Sequence, residues 1–100
     1  MKFFFERECR TPYSEAYTIV TNTGERVGRV DLHFTSTVVH ATLCVDESLL
    51  DSEIRELIGQ IDDELVMSTD APRDDFIVVV YRGREAGTFS DEILEGEEEE

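Results

Sequence analysis

Two runs in the first half of the chain alternate between apolar and polar side chains. In the run RVGRVDLHF, Val30, Leu32 and Phe34 fall on one side and Arg29, Asp31 and His33 on the other. In VVHATLCVD, Val39, Ala41, Leu43 and Val45 alternate with His40, Thr42 and Cys44. A period of two predicts strands buried on one face. The two runs also restrict each other's register. Antiparallel pairing keeps both apolar sets on one face when partner numbers have an odd sum, and the tightest such hairpin sets Phe34 opposite Val39, Leu32 opposite Ala41 and Val30 opposite Leu43. On the reverse face this register sets His33 against His40 and Arg29 against Cys44. The tightest hairpin of this kind turns at Ser36-Thr37, and a four-residue loop keeps the same register.

Further strands are expected at residues 2–9, before the break at Thr11-Pro12, and in YSEAYTIVT, which is rich in strand formers. Asn22 and Gly24 in NTGE supply a turn that tolerates positive φ. FIVVVY, residues 76–81, is the strongest strand of the chain. REAGTFS is expected to return after Arg82-Gly83 as a short edge strand.

After Asp46 the period changes. Leu50, Ile54, Leu57, Ile58, Ile61 and Leu65 recur at helical spacing and predict one amphipathic helix from Ser48 to about Val66. Ser48 with Asp51 resembles a capping box. Glu53, Glu56, Asp62, Asp63 and Glu64 fall on its outer side. Gly59 sits in its interior, where glycine costs about 1 kcal/mol relative to alanine or lets a sheet residue approach.

The pattern predicts an α+β fold in the order β-β-β-β-α-β-(β): an antiparallel meander of five to six strands with one long amphipathic helix packed on one face. Residues 1–90 form a single domain, and 91–100, ending in EGEEEE, an acidic disordered tail. One helix covers one sheet face. The other holds Phe4, Val20, Val38, His33, His40, Cys44 and one apolar set of the FIVVVY strand. That face is expected to meet a copy of the chain or a partner, unless the sheet curls onto itself.

Charge adds a polarity along the chain. Residues 1–45 carry five acids and five bases; residues 46–90 carry twelve acids against four arginines; the last ten add seven acids and no base. The net charge of −15 repels nucleic acid and anionic lipid and favours a basic protein partner. The longest apolar run, six residues, is too short to cross a membrane. Met1-Lys2 leads straight into FFFERECR without a secretory signal, and the two cysteines are expected to be reduced thiols in a cytoplasm.

Candidate chemistry is sparse. His33 and His40, opposite each other at about 5 Å, form with Asp31 a weak metal or acid–base cluster. Cys44 lies on the same face but about 13 Å from His40 along the strand, and a structural zinc site wants four ligands. Two imidazoles charged below about pH 6 would repel there. Asp70, Asp74 and Asp75 flank Pro72 but lack the order of an EF-hand. There is no phosphate-binding glycine loop, no Gly-x-Ser-x-Gly and no Cys-x-x-Cys. No catalytic residue and no cofactor is expected. The expected function is a small acidic, non-catalytic interaction module, dimerising through its sheet and binding a basic protein through Glu53, Glu56, Asp62, Asp63, Glu64 and Asp70. The alternative is a small-ligand or metal site at the His33/His40 hairpin.

Overall fold

The computed structural model describes residues 2–67 and 75–91. Four strands run in sequence order as an antiparallel meander: β1 (Phe3–Thr11), β2 (Ser14–Thr21), β3 (Arg26–Phe34) and β4 (Val38–Val45). The β3–β4 register is the tightest of those that alternation allows. Phe34 pairs with Val39, Leu32 with Ala41, Val30 with Leu43, His33 with His40 and Arg29 with Cys44. The turn falls at Ser36-Thr37. The Thr35 amide donates to the Val38 carbonyl at 3.0 Å, and the Thr35 side-chain oxygen accepts from the Val38 amide. The β2–β3 turn uses Gly24 at φ 88°, a left-handed conformation open to glycine without a Cβ penalty.

Helix α1 (Asp51–Ile61) follows, and a π-helical segment, Asp62–Val66, continues it directly. Its start lies later than the Ser48–Asp51 pattern predicted. The Asp46 carboxylate takes both Ser48 donors, the amide at 3.1 Å and the hydroxyl at 2.5 Å. That closes a local turn instead of a helix cap. Leu49, buried, pins the turn to the core. The helix then opens with Leu50 at the N-cap, whose amide donates to Glu53 at 2.8 Å. The π segment has its own consequence. Leu65 and Val66 are both buried in its wider turn.

Strand β5 (Asp75–Arg82) completes a five-stranded sheet of order β1-β2-β3-β4-β5 and lies parallel to β4. Parallel neighbours need a crossover, and the helix supplies it. REAGTFS forms no sixth strand. Residues 83–90 leave the sheet as an irregular segment, tied to it where the Gly83 amide donates to Val45 at 2.9 Å. Among the described residues no helix is long and apolar enough to cross a membrane. The expected acidic tail lies outside the described residues except for Asp91.

The core lies between the sheet and the helix. Phe3, Ile19, Val30, Leu32, Val39, Leu43 and Val45 enter it from the strands, and Ile54, Leu57 and Ile61 from α1. Ile58, Phe76 and Val78 pack half-buried at its margin. The Gln60 side chain is hydrogen-bonded to both backbone groups of Phe3, which clamps the helix to the far edge of the sheet.

Gly59 is exposed, and a Cβ built on it meets nothing within 4 Å. No sheet residue approaches it, so the close-approach reading does not hold. Gly59→Ala is expected to raise the unfolding free energy by about 1 kcal/mol, from helix propensity alone. Chemical denaturation checks this: an unchanged or lower midpoint would contradict it.

Candidate functional site

The sheet face away from the helix carries most of the side chains with chemical potential. A β-bulge between Arg7 and Cys9 inserts Glu8 as an extra residue in β1. Bulges re-aim side chains, and here the Glu8 carboxylate accepts a hydrogen bond from the buried Thr18 hydroxyl. Arg29 on β3 reaches Glu8 at 3.2 Å and Asp31 at 3.2 Å. Its guanidinium is held above the ordinary arginine value, first by the hydrogen bond to Asp31. The group forms a polar cover over the middle of β2. Ala16, Thr18 and Val20 are buried although they face away from the helix. The open face is therefore closed over β2 by the chain itself.

His33 and His40 stand directly opposite each other, both exposed. Asp31 turns to Arg29. Cys44 pairs with Arg29 at the other end of the strand, half-buried. Among the described residues no group of three or more histidine, cysteine or acidic side chains is placed to hold a metal ion. Asp70 and Asp74 lie outside the described residues. Asp75 accepts the Phe76 amide at 2.8 Å, as a strand flank does.

The five acids expected on the outer side of the helix differ in exposure. Glu56, Asp63 and Glu64 are exposed, Glu53 and Asp62 half-buried. Glu53 is occupied by the helix start, and Glu64 meets Lys2 at 3.2 Å. At the other end, Arg82 bridges from β5 to Asp51 and lowers the Asp51 carboxyl below the usual range, chiefly by hydrogen bonding.

Sequence patterning left one feature unseen. Residues 83–88 cross the ends of β3 and β4 and leave a cleft of about 580 Å³ lined by Arg26, Arg29, Cys44, Asp46, Arg84 and Glu85. Arg26 pairs with Glu85 at 2.8 Å. The Thr88 hydroxyl and then Arg26 hold the Glu85 carboxyl below the usual range. Asp46 is lowered as well, first by the Ser48 hydroxyl and then by the Ser48 amide. Two of the cleft's three arginines thus already meet carboxylates. No local periodicity signals a contact between Arg26 and Glu85, fifty-nine residues apart.

The fold and these surfaces define a small α+β module with an acidic helix on one side and a mixed sheet face on the other. No protein-family model, curated protein or solved structure matches the chain.

Proposed function

We propose that this chain is a non-catalytic interaction module that takes a basic protein partner on the outer side of its helix and associates with itself through its sheet. The observation that supports this best is the separation of surfaces. Glu56, Asp63 and Glu64 are exposed on the helix, while exposed apolar side chains, among them Ile77, Val79 and Tyr81, lie on the sheet. The last turn of the helix carries no base of its own, and Lys2 reaches the patch at Glu64. Such a patch attracts cations and steers their approach.

A lysine-rich helical peptide serves as a defined probe in titration calorimetry. Its affinity should fall about tenfold between ionic strengths of about 0.01 M and 0.15 M, over which the screening length shrinks from about 30 Å to 8 Å. Replacing Glu56 with Gln and Asp63 with Asn together should weaken binding at low salt. The same loss of charge at Glu6 and Glu25 should weaken it much less. Equal losses from the two pairs would show that only net charge matters, and binding indifferent to salt would remove charge from the explanation.

A further inference from the structure

The two edges of the sheet are β1 and β5, and they are built differently. β1 carries Glu6, Arg7, Glu8 and Arg10, contains a bulge and runs into Pro12. Charges, bulges and proline each discourage a further strand from adding. β5 has none of these between its ends. Phe76 to Tyr81 is an unbroken apolar run in regular register with β4. Ile77 is 42% exposed, Val79 49%, Val80 37% and Tyr81 57%. The Gly83 amide donates to Val45, so by the two-residue period of a parallel ladder the odd-numbered residues of β5 turn their backbone groups to β4. Val78, Val80 and Arg82 turn theirs outward.

We propose that two copies of this chain pair antiparallel through β5, about a two-fold axis at Val79, into one sheet shared between them. The proposal rests on the self-association read above and gives it an edge and a register. The charges at the strand ends argue for a second copy. Asp75 opens β5, and Arg84 lies just past its close, whereas Arg82 already meets Asp51. Antiparallel pairing brings the acidic start of each strand to the basic end of the other, on both sides of the axis. Parallel pairing would set Asp75 beside its own copy. A two-fold axis perpendicular to the sheet keeps the helices of both copies on one side. With Val79 on that axis, Val78 pairs with Val80 of the second copy through the outward backbone groups. Ile77 then meets Tyr81 of the second copy on the open face, and the exposed Ile77-Val79-Tyr81 stripe doubles in width. The pairing is isologous and closes at two.

Salt separates this contact from partner binding. Each copy carries −15, so screening favours the dimer, whereas it weakens capture of a basic partner.

The test is sedimentation equilibrium of the full chain from micromolar to millimolar concentration, together with two variants. Val79→Cys, in a chain with Cys9→Ser and Cys44→Ser, should give a disulfide-linked dimer on mild oxidation, because Val79 faces its own copy. Val80→Pro removes an outward amide and leaves the β4–β5 ladder intact. It should halve the sedimenting mass while circular dichroism stays that of the parent. Wild-type protein at single-chain mass throughout would overturn both this pairing and the self-association reading. A dimer that survives Val80→Pro and fails to cross-link at Val79 would overturn the β5 register while leaving self-association in place.

Discussion

Leu57→Ala should lower the unfolding free energy by about 2–5 kcal/mol, the range found when a large aliphatic side chain is deleted from a core. Leu57 lies mid-helix, fully buried, in one cluster with Leu32 and Leu43 from the sheet and Ile54 and Ile61 from its own helix. The helix is the single cover of this sheet face among the described elements, so no other element can shift in to fill the gap. Domains of this size are stable by about 5–15 kcal/mol, and the loss is therefore a large share of the whole. Leu50, one position before α1 and 63% exposed, is the control: Leu50→Ala should change stability by no more than about 0.5 kcal/mol. Urea unfolding monitored by circular dichroism measures both. Equal effects from Leu57 and Leu50 would mean that the helix does not seal the core.

Gly28→Ala is expected to cost about 1–3 kcal/mol, the range for overpacking. Gly28 pairs with Ile19 on one side and Val45 on the other, beside the register shift of β2–β3. A Cβ there would stand 2.6 Å from the Cys44 carbonyl oxygen. That oxygen belongs to the backbone of a central strand and cannot rotate aside as a flexible side chain could. The sheet has to open locally, and amide exchange of Val45 and of the Gly83 amide bonded to it should quicken beyond the global change. An alanine tolerated with neither effect would show that the β3–β4 approach is looser than the structure gives. The contrast with Gly59, where alanine meets empty space, shows that substituting a glycine acts through its surroundings.

Local pattern carried much of the fold. Period-two alternation in residues 29–45 restricted the β3–β4 pairing to alternate registers, because a slip of one would turn every apolar side chain to the wrong face, and the tightest turn selected the observed one among them. The stripe from Ile54 to Leu65 located the helix, since burial on one side of a helix leaves a signature independent of what it packs against. The helix start was less legible. Ser48 satisfies the spacing of a cap, but Asp46 competes for the same donors, and a spacing rule does not rank two local hydrogen-bonding partners.

The parallel placement of β5 was within reach of the chain's lengths. Sixteen helical residues, Asp51 to Val66, span about 24 Å at 1.5 Å per residue. An eight-residue strand spans about 26 Å. One such helix returns the chain to the end of the sheet from which β4 set out, and the next strand must then run alongside β4. Alternation alone cannot say this, because it reads the same in parallel and antiparallel pairs.

The candidate site divides in the same way. The facing of His33 and His40 and the exposure of Glu56, Asp63 and Glu64 on the helix follow from register and period, and both were available in the sequence. The Glu8–Arg29–Asp31 cover over Thr18, and the cleft closed by Arg26 and Glu85, were not. They join side chains from elements distant along the chain, through a bulge at Glu8 and a strap after Gly83 that leave no periodic trace. The amino-acid order by itself determined which side of each strand and of the helix faces inward, because burial acts on every second or every third and fourth residue. The tertiary structure alone decided which strands stand at the edges, and so which apolar run is left with outward backbone groups, because edge position depends on the path of the whole chain.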